Sequence, residues 1–355
     1  PRSTPKPSSA ASDVYKRQMC TSGDSPILRL SPETEDGSAI FWADQGTERA
    51  RSSTDRGQTW QECLPGVTIQ DLAAADSGTL YLLQADGQVR RGSYSNSWIW
   101  ARNTDSGLAA AHTIAIQGDN ILVGAAAGEP APLAYSADAG QTWTKIAEQT
   151  PSAANRHVAF DRYFETNQTV YVADDTGGIY RWRLGESHSW DDLAAANHSF
   201  YGIVLGRGGA IYGAYCTTES GVDRALYPRS GIPKPGVYWD SLSSGLSPDV
   251  QFSTEPTAIS ISRNSLWCLD ARDYSPADGE GCLWAFTDTL AQAAPRLLQP
   301  DDGAALGCDP VSGRNQDVEF KWEQLSLAEA YEVEIAKDRG FSLRVTEAEP
   351  GSNPY

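Results

Sequence analysis

Apolar residues in this chain come in short runs set between turn-forming residues. Examples are Ile27-Leu28-Arg29-Leu30, Ala39-Ile40-Phe41-Trp42, Thr79-Leu80-Tyr81-Leu82-Leu83 and Ile121-Leu122-Val123-Gly124. Thr169-Val170-Tyr171-Val172-Ala173, Ala210-Ile211-Tyr212-Gly213 and Ala258-Ile259-Ser260-Ile261 continue the series. These runs are too short for helices and are rich in β-branched and aromatic residues. Gly, Pro, Asn, Asp and Ser bound them, so they read as strands. The pattern predicts an all-β protein.

Two segments nearly coincide. Ser53-Thr54-Asp55-Arg56-Gly57-Gln58-Thr59-Trp60 and Ser136-Ala137-Asp138-Ala139-Gly140-Gln141-Thr142-Trp143 share the pattern S-x-D-x-G-Q-T-W. The residue types suit a tight hairpin turn. Asp55 and Asp138 can accept hydrogen bonds from the backbone N–H groups of their own loop. Gly57 and Gly140 can take a positive φ at little steric cost. Ser53, Ser136, Thr59 and Thr142 can add side-chain bonds. Trp60 and Trp143 offer large rings, expected to be buried between neighbouring sheets. One carboxylate without further acids at calcium-loop spacing is a poor metal site. The motif therefore reads as structural, with no metal and no cofactor expected.

The two segments lie 83 residues apart, twice a unit of roughly 40–45 residues, the length of one four-stranded propeller blade. A unit with a decayed motif should lie between them, and Gly87-Gln88-Val89-Arg90 and Trp98-Ile99-Trp100 occupy the expected places. Extending the register gives six modules, at about 26–67, 68–110, 111–152, 153–197, 198–248 and 249–292. In the fifth, Gly236-Val237-Tyr238-Trp239 reads as the third strand and 217–235 as a loop insertion before it. Short, regularly spaced antiparallel strands favour radial closure over an open solenoid.

The repeated motif resembles the Asp-box (BNR repeat) of sialidases, sortilin-type receptors, xyloglucanases and photosystem II assembly factors, all β-propellers. Phe160 to Tyr171 resembles a strand–turn–strand phrase of the same proteins. The resemblance implies a β-propeller of four-stranded blades over residues 19–294.

Beyond Pro295 the text changes. Pro295-Arg296-Leu297-Leu298-Gln299-Pro300, Val318-Glu319-Phe320-Lys321-Trp322 and Ala330-Tyr331-Glu332-Val333-Glu334-Ile335-Ala336 resemble the opening strands of a fibronectin-type-III-like β-sandwich. Tyr331, Val333 and Ile335 alternate with period two, which favours a strand. Residues 295–355 are thus expected to form a partial sandwich. Residues 1–18 are rich in Pro, Ser and Lys, without apolar periodicity, and read as a non-native or disordered segment. Asp13 to Gln18 resembles a translated sequencing adapter. The chain reads as a fragment of a longer protein.

The formal net charge is −18. Polyanion binding needs clustered Lys and Arg, so nucleic acid is not an expected partner. Direct membrane insertion is not expected either, because no apolar run approaches the roughly 20 residues a spanning helix needs. Six cysteines are present at irregular spacing, without a CxxC pair. Cys268 and Cys282, read as lying on neighbouring strands of the sixth module, form a candidate disulfide. Cys20, Cys63, Cys216 and Cys308 have no assignable pairing.

The sialidase chemistry that the resemblance brings with it needs an arginine triad, a Tyr nucleophile with a Glu partner, an Asp acid/base and a first-blade Phe/Tyr-Arg-Ile-Pro phrase. The chain lacks that phrase; Tyr227-Pro228-Arg229-Ser230-Gly231-Ile232-Pro233 is a distant echo in the fifth module. A xyloglucanase-type reaction needs two carboxylates at a set separation, and the sequence singles out no such pair. Binding, adhesion or scaffolding outside the cell or at its surface is the expected function, with an unknown protein or carbohydrate ligand. A sialidase- or xyloglucanase-type hydrolase is the alternative. Asp223, Arg224, Tyr227 and Arg229 are the candidate contacts, on the insertion 217–235.

Overall fold

The computed structural model describes residues 26–31, 39–55, 57–148, 150, 154–193, 195, 198–206, 210–216, 219–226, 239–243, 246, 250–252, 259–262, 265–269, 283–288, 297–299, 320–322, 333–336 and 344–348. The chain divides into two compact units, Pro1–Asp288 and Thr289–Tyr355.

The first unit is a six-bladed β-propeller of antiparallel sheets, each built by consecutive strands. Blade one holds β1 (Pro26–Leu30), β2 (Ile40–Asp44), β3 (Ala50–Ser53) and β4 (Gln61–Glu62). Blade two holds β5 (Asp71–Ala74), β6 (Thr79–Leu83), β7 (Gln88–Tyr94) and β8 (Trp98–Trp100), with the short β9 (Thr104–Asp105) also paired to β7. Blade three holds β10 (Ala111–Gln117), β11 (Asn120–Ala125), β12 (Leu133–Ser136) and β13 (Thr144–Ile146). Blade four holds β14 (Arg156–Phe160), β15 (Thr169–Asp174), β16 (Ile179–Arg183) and β17 (Asp191–Asp192), with the one-turn helix α1 (Phe164–Asn167) between its first two strands. Blade five holds β18 (Phe200–Leu205), β19 (Ala210–Cys216), β20 (Ser220–Leu226) and β21 (Trp239–Ser241). The described strands of blade six are β22 (Ile259–Ser262), β23 (Ser265–Leu269) and β24 (Leu283–Thr287).

The first strands of successive blades touch in order, from β1 through β5, β10, β14 and β18 to β22, and β22 touches β1. The ring is therefore closed, and the open-solenoid alternative is excluded. Second strands are covered on both faces by neighbouring blades, which is why they read as continuous apolar runs. Leu80, Leu82, Ile121, Leu122, Val123, Val170 and Val172 are fully buried, whereas the short outer strand Gln61–Glu62 is exposed.

The apolar cores lie between blades. One joins Phe41 and Ala43 to Leu72 and Leu82, the next joins Tyr81 and Leu83 to Ile114 and Val123, and a third joins Leu133 to Val158 and Val172. Close approach is needed there. A Cβ on Gly124 would collide with the Arg156 carbonyl oxygen and with Thr113 Oγ1 of the adjoining inner strands. Three tryptophans then tie blades two, four and five, at or beside their fourth strands, to the preceding blade. Trp100 Nε1 donates to the Cys63 carbonyl at 2.6 Å, Trp190 Nε1 to that of Glu148 at 2.7 Å, and Trp239 Nε1 to that of Leu193 at 3.0 Å.

The fifth module corrects the expected register. Its third strand is Ser220–Leu226, paired residue by residue with β19, and Trp239–Ser241 is the fourth strand. The adjacent Asp223 and Arg224 gave this stretch the look of a loop. In the second unit, Leu297–Gln299 pairs with Lys321–Trp322, and Val333–Ala336 pairs with Arg344–Ala348.

Candidate functional site

The two S-x-D-x-G-Q-T-W segments form equivalent turns between the third and fourth strands of blades one and three. Asp55 Oδ1 accepts from the Gln58 and Thr59 backbone N–H groups at 2.8 Å, and Asp55 Oδ2 from Thr59 Oγ1 at 2.6 Å. Asp138 repeats this with the Thr142 N–H at 2.8 Å and Thr142 Oγ1 at 2.6 Å. Ser53 and Ser136 each donate to the aspartate at 2.8 Å and accept the glycine N–H four residues on. Gly57 and Gly140 have φ of 77° and 84°, the left-handed region a side chain disfavours. The threonine hydroxyl and N–H hold both carboxyls down at about 2. Every one of these bonds stays inside its own turn, so the motif closes a hairpin.

Trp60 and Trp143 are half-buried, not buried between blades as expected. The Trp143 ring lies over its own turn, with Nε1 donating to the Gly140 carbonyl at 3.1 Å, and packs against the core between blades two and three. Residue 60 or 143 sits just outside a short fourth strand, where only one ring face can be covered.

Two of the candidate contacts are not loop residues. Asp223 and Arg224 belong to β20 and are 3% and 7% exposed. Arg224 donates to both Asp288 oxygens, at 3.0 and 2.9 Å, and to Asp240 Oδ2 at 2.8 Å. Tyr212 Oη adds a bond to Asp288 at 2.8 Å, so the cluster locks blade five to the end of blade six. Asp223 faces His198 Nε2 at 3.6 Å, and burial pushes its carboxyl up against the opposing pull of that imidazole. Tyr227 and Arg229 lie outside the described residues. Cys268 is a buried free thiol paired across the sheet with Trp284, and burial pushes its thiol up; Cys282 lies outside the described residues.

What the sequence reading did not single out is the channel at the centre of the ring. It is a cavity of about 730 Å³ walled by the inner strands of all six blades. Its buried charge is Asp71, 1% exposed. Asp71 accepts from Arg29 Nη2 at 2.6 Å, from the Leu72 N–H at 2.7 Å and from the Ile114 N–H at 2.9 Å, bridging blades one, two and three. Burial pushes this carboxyl up, while Arg29 and the two N–H groups pull it down. On the same strands His112 and His157 meet edge to face at 5.0 Å, and Gln70 approaches His112 Nδ1 at 3.5 Å. Burial holds the His112 imidazole down at about 4, against a weaker upward pull from Asp175. Asp71 carries no local signal, because its partners in the neighbouring blades lie 42 and 43 residues away. Among the described residues, no group of three or more His, Cys, Asp or Glu is arranged to hold a metal ion.

No protein-family model and no curated protein matches this chain. Solved structures do. Virginiamycin B lyase from Staphylococcus aureus, with quinupristin, aligns at a TM-score of 0.53 and 11% identity, over 76% of this chain and 83% of that one. YCF48 bound to D1 peptide aligns at 0.50 and 12% identity, over 77% and 81%. The GH74 xyloglucanase from Xanthomonas campestris aligns at 0.50 and 16% identity, over 77% of this chain and 45% of that one, so this chain spans less than half its length. At such identities the shared property is the fold, and these neighbours include a peptide-bound protein as well as enzymes.

Proposed function

We propose that this chain acts by binding, as an exported or cell-surface propeller of the Asp-box type that holds a protein or carbohydrate partner without hydrolysing it. One observation carries the reading. Asp71, the carboxylate on the described channel wall, is committed to Arg29 and two backbone amides of neighbouring blades. A glycosidase needs two carboxylates flanking a scissile bond, one free to give a proton and one to attack or activate water. A carboxylate held by a guanidinium and two backbone amides is fixed as a structural acceptor, which favours a tie between blades over either role. The strong acidity and the resemblance of the turns to Asp-boxes support a location outside the cell, where the fibronectin-like strands would serve as a spacer. Partner contacts then fall to the inter-strand loops, which vary while the blades stay rigid.

The test is to expose the full 355-residue chain to arrays of peptides, sialosides and plant and bacterial glycans. Saturable binding with the ligand recovered intact supports the reading. Release of cleaved product from any spot overturns it.

A further inference from the structure

We propose that the central channel is a binding site for a small organic anion with an apolar body, such as an aryl or alkyl carboxylate. The argument begins with charge. The chain carries 46 acidic against 28 basic residues. Its described channel lining reverses that balance, with Asp71 as the carboxylate against Arg29 and Arg162. Asp71 and Arg29 neutralise each other at 2.6 Å. Arg162 remains as an exposed cation on the lining, and among the described residues it forms no ion pair.

The surroundings of Arg162 specify the rest of the ligand. Its guanidinium carbon lies 5.9 Å from the centre of the Tyr163 ring, and its carbonyl accepts from Gln117 Nε2 at 3.4 Å. The same lining carries aliphatic side chains, with Ile116, Leu205 and Ile261 half-exposed and Ile114, Val158 and Ile203 buried. A ligand that buries carbon against this wall and reaches a guanidinium with a carboxylate uses both features. The lining is otherwise mixed, with Ser31, Thr113, Gln117 and Ser260 among its polar side chains. This site is independent of the partner surface proposed above, and either can fail without the other.

The experiment is calorimetric titration of the full chain with phenylacetate, phenylacetamide, acetate and N-acetylneuraminic acid. The carboxylate–guanidinium contact should make phenylacetate bind at least about tenfold more tightly than phenylacetamide, a difference of about 1.4 kcal/mol. The aliphatic wall should give a similar margin over acetate. Arg162→Gln should erase the preference for the acid over the amide, and Arg162→Lys should keep most of it. Arg162 is exposed, so both variants should melt at the wild-type temperature. The proposal is overturned if the acid and the amide bind alike, if Arg162→Gln leaves their ratio unchanged, or if N-acetylneuraminic acid outcompetes phenylacetate. Absence of phenylacetate binding up to about 10 mM overturns it as well.

Discussion

Replacing Asp71 with alanine should destabilise the propeller more than any single substitution on its surface. The carboxylate is 1% exposed and takes three bonds, at 2.6 Å from Arg29, 2.7 Å from Leu72 and 2.9 Å from Ile114. Removing one partner of a buried ion pair typically costs about 3–5 kcal/mol, since the other charge is left without compensation. Arg29 keeps some access to water, with a side-chain exposure of 13%, which places its share at the lower end. Two buried amides also lose their acceptor, at about 1 kcal/mol or more each. The expected loss is therefore about 4–5 kcal/mol for Asp71→Ala. Asp71→Asn retains an acceptor oxygen but not the charge and should lose about half of that. Urea unfolding followed by tryptophan fluorescence measures it as a shift in midpoint at unchanged slope. In a double-mutant cycle with Arg29→Met, the coupling should reach about 2 kcal/mol. A loss below about 1 kcal/mol for Asp71→Ala, with no coupling to Arg29, would refute the assignment of Asp71 as the tie between three blades.

Three further outcomes follow from other residues. Trp143→Ala should cost about 2 kcal/mol, below the roughly 3–5 kcal/mol of a fully buried tryptophan, because one ring face is already in water; a urea midpoint shift equal to that of Leu82→Ala would show deeper burial than the structure has. The Asp55 and Asp138 carboxyls, held down at about 2 by their turns, contribute stability that is complete above the ordinary carboxyl value near 4 and is lost as pH falls through about 2; Asp138→Asn should remove part of that acid limb and speed exchange of the Thr142 amide. His112 titrates at about 4 in the fold against roughly 6.5 when unfolded, so the unfolded chain binds the proton first. Stability should then fall as pH drops from about 6.5 to about 4, by roughly 3 kcal/mol in total, and melting curves of His112→Gln should lack that slope.

The blade repeat was legible because two of its turns depend on local chemistry. Ser, Asp, Gly and Thr of each S-x-D-x-G-Q-T-W segment bond to one another within five residues, so the structure is written contiguously. The second strands were legible for a different reason, since burial on both faces forces apolar runs such as Leu80 to Leu83. Strand β20 was not. Its Asp223 and Arg224 look like surface residues, and the groups that face them, His198, Asp240 and Asp288, are distant in sequence or in another blade. The half-burial of Trp60 and Trp143 escaped for a related reason, because ring cover depends on how far each outer strand extends. The channel was the least legible feature. Its wall takes a few residues from each of six strands that start at residues 26, 71, 111, 156, 200 and 259, and only the packing of blades around the ring brings Arg29, Asp71 and Arg162 onto one surface.

The claim that this propeller binds without catalysing is tested most directly by incubating the full chain with sialosides and β-glucans and quantifying released sialic acid and reducing ends. The account predicts release no faster than buffer alone, unchanged by substitution of Asp71 or of any other single Asp, Glu or Tyr. Turnover above background that one such substitution abolishes, while the protein keeps its fold, would contradict it.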